Sequence, residues 1–170
     1  MICFVRHGQT DYNIQKIIQG QLDIPLNEEG IKQAEALRDS LKGYKFDCIY
    51  CSPLIRAKVT ADIINEYHDV EIIYDERLQE INAGTKQGTP FVPEELFGDS
   101  EFARNPKKFN AESNEDFLNR VSQCYKEIEK RNQDILIVSH GGVYRCLQMY
   151  FDKQNTTKPI NNCEFAILKE

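Results

Sequence analysis

Two short apolar runs in the sequence end in the same pair of residues, a histidine followed by a glycine. The first run, residues 2–5, leads into Arg6 and His7, and the second, residues 135–139, leads into His140. Apolar runs of this length are typical of strands buried in a parallel sheet. Ligand sites in α/β proteins lie just beyond the carboxyl ends of such strands. The repeated ending therefore predicts that two imidazoles share one site.

The neighbours of the first histidine add to this prediction. Arg6 carries a planar fork of donors that suits phosphate or carboxylate, and Gly8 removes a side chain so that the backbone can approach a ligand. Taken alone, these residues could equally end a strand at the protein surface. The second His-Gly pair favours a functional site, because two such strand ends are hard to explain by chance.

The remaining pattern predicts strands that alternate with helices. The predicted strands cover residues 2–6, 46–51, 70–74, 134–139 and 163–168. We expect a three-layer α/β/α sandwich with a mostly parallel sheet, in a single domain that spans residues 1–170. No Gly-x-Gly-x-x-Gly motif and no Walker loop occur, so nucleotide-binding versions of this architecture lose support.

Local signals mark where helices begin. Asn27 is predicted to cap a first helix, and Ser52 with Pro53 is predicted to begin a second. Residues 113–116 resemble a capping box ahead of a third helix, and a fourth is expected to begin at position 142 or 143. The apolar residues that the first helix is expected to bury are Ile31, Ala34, Leu37 and Leu41.

Two segments show little periodicity. Residues 7–27 are predicted to form a long loop, and loops of this length usually have a function. Residues 85–112 are predicted to form loops with short helical pieces that cover the site like a lid. The apolar side chains of this lid segment could line a pocket for the organic part of a substrate or form a small satellite core. They are Phe91, Val92, Leu96, Phe97, Phe102 and Phe109.

Composition narrows the classes of function. The net charge is −6 and no basic stripe is present, which disfavours nucleic-acid binding and electrostatic attachment to a membrane. Neither a signal peptide nor a membrane-spanning stretch is evident, so we expect a cytoplasmic protein. Cys48 and Cys51 form a lone Cys-x-x-Cys whose members face opposite sides of a strand, and all six cysteines are expected to be reduced.

Several blocks of the sequence, in order along the chain, carry a resemblance to a known family. The blocks are Arg6-His7-Gly8-Gln9-Thr10, Asn13, Gln19-Gly20, Asp23-Ile-Pro-Leu-Asn27 with Gly30, Ser52-Pro-Leu54 with Arg56-Ala57, Leu78-Gln-Glu80 and Ser139-His-Gly-Gly142. Together they resemble the histidine phosphatase superfamily, the phosphoglycerate-mutase-like proteins. The resemblance implies the phosphoglycerate-mutase-like fold, whose mixed sheet contains one antiparallel strand.

The clustered cations and imidazoles suit phosphoryl transfer. Arg6, Arg56 and His140 can spread over the three phosphoryl oxygens, where positioning and charge stabilisation supply most of the catalysis. His7 can act as the in-line nucleophile, because a histidine with a pKa near the reference value of about 6.5 is available as neutral imidazole near pH 7. Transfer to His7 gives a phosphohistidine that water then cleaves.

The resemblance also implies a general acid and further contacts to the substrate. It places the acid at Glu80. In the family this segment usually continues with Gly-x-x-x-Gly, often with Trp-Glu between the glycines, whereas here it reads Gly84-Thr-Lys-Gln-Gly88, without the Trp or Glu. Asn13, Gln19 and the Gly141 amide are expected to bind phosphate or substrate. For the two amide side chains, hydrogen bonding within their own loop is the alternative.

The expected ligand is an anion. The two histidines with Glu80 could bind a metal, but a cation beside Arg6 and Arg56 would be repelled, so we expect no metal and no cofactor. A phosphatase acting on a small phosphomonoester is favoured over a cofactor-dependent phosphoglycerate mutase, because mutases of the family carry longer insertions after the acid. A non-enzymatic phosphate-binding module is the third reading. The sequence leaves the physiological substrate and the oligomeric state open.

Overall fold

The computed structural model describes residues 1–96, 99–151 and 158–170 and contains a five-stranded sheet in the order β3-β2-β4-β1-β5. The strands are β1 (Ile2–Arg6), β2 (Cys48–Cys51), β3 (Glu71–Tyr74), β4 (Ile135–Ser139) and β5 (Phe165–Lys169). Strand β1 runs parallel to β4, β4 to β2 and β2 to β3, whereas β5 is antiparallel to β1. The mostly parallel sheet with one antiparallel strand is therefore confirmed.

Helices cover both faces of the sheet. They are α1 (Asp11–Gln15), α2 (Glu28–Leu41), α3 (Ile55–Asn65), α4 (Pro93–Leu96), α5 (Glu101–Arg104), α6 (Asn114–Glu129) and α7 (Gly141–Phe151). Buried side chains of α2 and α3 pack against one face, and those of α6 and α7 pack against the other. Because strand residues alternate between the faces, Cys48 lies in the α6/α7 core and Cys51 in the α2/α3 core. The three-layer sandwich is confirmed.

Two of the predicted helix starts are confirmed. The Asn27 side chain accepts a hydrogen bond from the Gly30 amide at 2.8 Å, and the Ser113 side chain accepts one from the Asp116 amide at 3.0 Å. The prediction that α2 buries Ile31 is wrong, since this side chain is 39% exposed. Gly30 is buried instead, because any Cβ at this position would lie 2.1 Å from the Gln9 carbonyl oxygen.

The predicted start of α3 is wrong. The helix begins at Ile55 rather than Pro53, and the side chain of the preceding residue, Leu54, makes no capping hydrogen bond. Its first amide is capped from a distant loop, by Asp23 Oδ1 at 2.6 Å from the Ile55 nitrogen. The Ser52 hydroxyl lies 2.7 Å from the ring of buried His140, and its oxygen lies 3.4 Å from the Leu54 nitrogen, one residue before the helix begins.

The two segments without periodicity are partly ordered into helix. Residues 7–27 contain α1, which the sequence analysis missed, and this helix begins with a capping box between Thr10 and Asn13. The lid segment, residues 85–112, contains α4, α5 and single 3₁₀ turns, as predicted. Its start pairs with the earlier loop through an isolated bridge between Ile17 and Pro90. Among the described residues, no helix is both long and apolar enough to cross a membrane.

Candidate active site

The two histidines follow neighbouring strand ends. Strands β1 and β4 are parallel, and the last residue of each, Arg6 and Ser139, are partners in the register. His7 and His140 therefore leave the sheet at the same edge, and their ring centroids lie 5.1 Å apart. Both are buried, at 3% and 0% exposed. The structure thus brings together the two imidazoles whose proximity the repeated His-Gly ending predicts.

The tautomer of His7 follows from its hydrogen bond. Its Nδ1 lies 2.7 Å from the carbonyl oxygen of Gly8, which can only accept, so Nδ1 carries the hydrogen and Nε2 keeps a lone pair. Burial holds the pKa of His7 well below its ordinary 6.5, and the charges of Arg56 and Arg6 lower it further. His7 is therefore a neutral imidazole with a free nucleophilic nitrogen at neutral pH.

His140 is oriented by a residue that follows the neighbouring strand β2. Its Nε2 lies 2.7 Å from the hydroxyl of Ser52, at the end of β2. Its Nδ1 is buried and has no hydrogen-bond partner among the described residues. The Ser52 hydroxyl oxygen also accepts a bond from the Leu54 amide at 3.4 Å, so its hydrogen can be donated to Nε2. In that arrangement Nδ1 carries a hydrogen, which makes it a donor for an anion. Burial, Arg56 and His7 lower the pKa of His140 well below 6.5.

The two arginines are ordered by backbone carbonyls. Arg56 is only 1% exposed and donates to the carbonyls of Leu22 at 2.8 Å and Gly20 at 2.7 Å, so it fixes the loop that leads into α2. Burial lowers the pKa of Arg56 to about 10, which still leaves it charged at neutral pH. Arg6 donates to the carbonyl of Ile160 at 2.8 Å. Arg56 is therefore not a solvated surface residue.

Unpaired buried nitrogens mark where a ligand is needed. Within the described part of the chain, Arg6 Nε, Arg56 Nε and His140 Nδ1 are all buried without a hydrogen-bond partner. Buried donors are nearly always satisfied in folded proteins, so three in one site require an explanation. A tetrahedral oxyanion is the kind of ligand that has acceptors for such donors and negative charge to balance two guanidiniums.

Glu80 reaches the same cavity from the loop after β3. Its Oε1 accepts from the Ile81 amide at 2.9 Å and its Oε2 from the Gly142 amide at 3.0 Å. A Cβ at position 142 would lie 2.0 Å from Oε1, so only glycine leaves room for this carboxylate. Each oxygen keeps a second lone pair, on which a transferable proton can reside.

The side chains of Asn13 and Gln19 both form hydrogen bonds within their own loop and line the cavity. Asn13 Oδ1 accepts from the Thr10 amide at 3.0 Å, and Gln19 Oε1 accepts from the Thr10 hydroxyl at 3.0 Å. Both side chains nevertheless line the cavity, as does Gly141. The loop contacts use the amide oxygens, whereas a phosphate requires the amide nitrogens as donors.

Several residues near the site were missed by sequence reasoning. The Asn162 side chain donates to the carbonyl of His7 at 2.9 Å, and Ser52 orients His140. Gly142 and Arg120 hold the Glu80 loop. Asn162 stands before β5 without any local signal, whereas Ser52 was assigned to helix capping because its neighbour is a proline.

The cavity has a volume of about 660 Å³ and contains His7, Glu80 and both arginines. Lid residues Phe91, Leu96 and Phe102 line it, which favours the pocket interpretation for these three. Phe109 packs on Phe102 with ring centroids 5.3 Å apart, as expected for a small satellite core. Phe97 lies outside the described residues. Polar side chains at the cavity wall include Asn82, Glu112, Asn114, Arg145 and Lys158.

Metal-ligating side chains do not converge in this cavity. Across residues 1–96, 99–151 and 158–170, no three His, Cys, Asp or Glu side chains form a group that could hold a metal ion. Beside His7 the cavity is lined by the cations of Arg6 and Arg56, with the Glu80 carboxylate acting electrostatically on both.

Fold and site together define a class of protein. The chain belongs to the histidine phosphatase superfamily (branch 1), whose family model matches residues 2–169. It is 35% identical over 177 residues to the Bacillus subtilis protein described as uncharacterized phosphatase PhoE, covering 97% of this chain and 88% of that protein.

Solved structures give the same class. A mycobacterial glucosyl-3-phosphoglycerate phosphatase in complex with VO3 superposes with a TM-score of 0.81 at 27% identity, over 96% of this chain and 88% of that one. A phosphoglycerate mutase from Bacillus anthracis superposes with a TM-score of 0.84 at 26% identity, over 96% and 85%. The phosphoglycerate-mutase-like fold inferred from the motifs is confirmed.

Proposed function

We propose that the chain is a metal-independent phosphatase that hydrolyses a small phosphomonoester through a phosphohistidine on His7. The observation that carries this proposal is the state of His7, whose Nδ1–H is bound by the Gly8 carbonyl while Nε2 keeps its lone pair and the charges of Arg56 and Arg6 act on the ring. A buried neutral imidazole is a nucleophile at neutral pH. The charges of Arg6 and Arg56 attract the phosphate dianion and disfavour a catalytic cation at the same place.

In the first step, Nε2 of His7 attacks phosphorus in line with the ester bond. As the N–P bond forms, the ester P–O bond breaks, and Glu80 transfers a proton to the departing alkoxide oxygen. Arg6, Arg56 and His140 supply donors to the three phosphoryl oxygens. This assignment uses the three nitrogens that otherwise lack partners.

In the second step, the Glu80 carboxylate removes a proton from a water molecule. The water oxygen forms a bond to phosphorus while the N–P bond breaks, and its electron pair returns to Nε2 of His7. Inorganic phosphate is released, Glu80 is protonated again and the enzyme returns to its first state. Division into two displacements avoids a direct attack of water on the ester.

The apolar wall of the cavity suits the organic part of a small ester. Phe91, Leu96 and Phe102 come from the lid segment, so this segment contributes to the choice of substrate. A phosphoglycerate mutase remains the second candidate, since a mutase superposes with a TM-score of 0.84. The short lid segment and the 88% coverage of a protein described as a phosphatase support hydrolysis.

The deciding experiment measures phosphate release from a panel of phosphomonoesters in the presence of EDTA, with wild type beside His7→Ala. We expect release by wild type and none by the variant. We also expect quenching of wild type in an alkaline denaturant to trap a phosphoenzyme that is stable in alkali and lost in acid. Near-wild-type activity of His7→Ala would exclude the proposed nucleophile. Interconversion of 2- and 3-phosphoglycerate without phosphate release would instead establish the mutase.

A further inference from the structure

A single arginine outside the cavity wall holds the loop that carries Glu80. Arg120, on α6, donates through Nη1 to the carbonyl oxygens of Arg77 and Gln79, each at 2.8 Å. Its Nη2 donates to the carbonyl oxygen of Glu80 itself at 3.0 Å. Three carbonyls of one irregular segment thus converge on one guanidinium.

The guanidinium is itself fixed in a planar ion pair. Arg120 Nε lies 2.6 Å from Glu112 Oε1 and its Nη2 lies 2.9 Å from Glu112 Oε2, a two-point contact that sets the orientation of the fork. The two side chains are 19% and 14% exposed, so water screens the pair only partly. The ring of Phe117 lies 4.7 Å below the guanidinium carbon.

Glu112 also binds the backbone on the carboxyl-terminal side of Glu80, at Asn82. Its Oε2 accepts from the Asn82 amide at 3.2 Å, and its own amide donates to the Asn82 carbonyl at 2.8 Å. The segment from residue 77 to residue 82 is therefore tied on both sides of the Glu80 carboxylate. We call Arg120 and Glu112, with these backbone contacts, the Arg120 clamp.

This segment has little other regular structure to hold it. A single 3₁₀ turn ends at Leu78, and the next begins at Gly84. The Glu80 side chain must nevertheless keep both of its amide contacts, to Ile81 and Gly142. A misplacement of about 1 Å at a reacting group can cost about 100-fold in rate, so the backbone of such a loop needs a rigid support.

We propose that Arg120 is a positioning residue for the general acid, acting through the Glu80 loop without touching the substrate. Its fork aligns three carbonyls, and this alignment fixes the direction from which the Glu80 carboxyl meets the leaving-group oxygen. The proposal rests on the acid role given to Glu80 above. Arg120 itself is not among the residues that line the cavity.

A matched control is available in the same segment. Arg77 also makes a two-point ion pair with Asp75, at 2.7 and 3.0 Å. It makes a single additional contact with Glu127, at 2.7 Å. Its side chain makes no described contact with Glu80. Arg77→Gln therefore removes an ion pair of similar kind and leaves the support of the acid intact.

The test is the dependence of kcat/KM on the leaving group, because kcat/KM reports the step that breaks the ester bond and not the later hydrolysis of the phosphoenzyme. Alkyl phosphates need protonation of the departing oxygen, whereas p-nitrophenyl phosphate needs little. We expect Arg120→Gln to lower kcat/KM on an alkyl phosphate about 10-fold and on p-nitrophenyl phosphate less than about 2-fold. Arg77→Gln should lower thermal stability without this selectivity. All rates are measured below the onset of melting.

Two further variants keep the proposal testable if Arg120→Gln does not fold. Arg120→Lys keeps the charge but has no planar fork, so we expect the same selective loss. Glu112→Gln leaves Arg120 without its ion pair and should give a smaller selective loss. Full recovery in Arg120→Lys, or equal losses on both substrates in the folded variants, would overturn the proposal.

A double-mutant cycle separates this proposal from the one on which it rests. If Arg120 acts through Glu80, Glu80→Gln/Arg120→Gln should be no slower on the alkyl phosphate than Glu80→Gln alone. If Glu80→Gln shows no leaving-group selectivity, the acid assignment fails. If Glu80→Gln is selective but Arg120→Gln is not, or if the two losses multiply, only the positioning role fails.

Discussion

The nucleophile and the acid lie in one cavity but are held in different ways. His7 follows a buried central strand, and its ring and backbone bind Gly8, the next residue, and Ser139, at the end of the neighbouring strand. Glu80 lies in an irregular segment and is held by Gly142 of α7 and, through its backbone, by Arg120 of α6. One group is placed by a strand end, the other by helices that are distant in sequence.

This difference predicts how activity responds to substitutions around His7 and around Glu80. A strand end inside a parallel sheet is stabilised by the whole core, so single contacts there can be lost with little movement. A loop held by a few side-chain contacts moves when one of them is lost. We therefore expect damage at His7 to remove chemistry outright, and damage around Glu80 to alter it selectively.

The largest effect is expected from His7→Gln compared with His140→Gln. Loss of the nucleophile should lower kcat/KM by about 10⁴-fold or more and abolish the phosphoenzyme. Loss of a donor to the phosphoryl oxygens should cost about 10²–10³-fold while the phosphoenzyme still forms. Rapid-quench measurement of labelled protein checks both. Phosphoenzyme formation in His7→Gln would show that the two roles are wrongly assigned.

Glu80→Gln tests the other end of the comparison. We expect kcat/KM on an alkyl phosphate to fall about 10²-fold and kcat/KM on p-nitrophenyl phosphate to fall only a few-fold, because the amide cannot supply the proton that a poor leaving group needs. Steady-state rates on both substrates check this expectation. Equal losses on both would argue against an acid at this position.

Adjacent glycines provide a finer comparison. Gly142→Ala places a Cβ 2.0 Å from Glu80 Oε1, whereas Gly141→Ala places one 3.6 Å from Arg6 Nε, an ordinary contact distance. We expect Gly142→Ala to lower kcat/KM on an alkyl phosphate about 10-fold with the selectivity of Glu80→Gln. Gly141→Ala should cost less and show no selectivity. A larger or selective loss in Gly141→Ala would contradict this reading of the site.

The smallest effect concerns stability against pH. The pKa values of buried His7 and His140 lie well below 6.5, so below about pH 6.5 the unfolded chain binds protons that the folded chain does not. The free energy of unfolding should therefore fall as pH decreases, by up to about 1.4 kcal/mol per pH unit for each histidine.

Denaturant unfolding between pH 7.5 and pH 5 checks this sign. His7→Gln and His140→Gln should each flatten the pH dependence of stability. His68→Gln serves as a control, because that ring is only partly buried and burial alone lowers its pKa. Parallel curves for wild type and the two buried-site variants would contradict the proposed protonation states.

Much of the fold was predicted from local signals in the sequence. Short apolar runs predicted the strands to within about two residues at each end, and Asn27 and Ser113 marked helix starts, because strand burial and capping depend on neighbours in sequence. The paired His-Gly endings placed both imidazoles at one edge of the sheet, since parallel strand ends meet there. The catalytic roles of these residues remain predictions.

Local reasoning failed where a side chain had two possible partners. Ser52 before a proline is a plausible N-cap, yet its hydroxyl meets His140, 88 positions away. Ile31 fits the helical apolar pattern but is exposed, because Gly30 takes the contact with the loop. The Ser52 hydroxyl gives buried His140 a polar neighbour, and Asp23 accepts from the first amide of the helix instead.

The sequence alone therefore determined the layers, the sheet and the edge of the sheet at which the two histidines meet, because each depends on periodicity or on strand ends. Tertiary structure decided how the acid is held. The contacts of Gly142 and Arg120 to Glu80 span 62 and 40 positions, and no local pattern encodes them. An irregular loop has no hydrogen-bond ladder of its own, so its geometry is set by whichever distant donors the packed helices bring to its carbonyls.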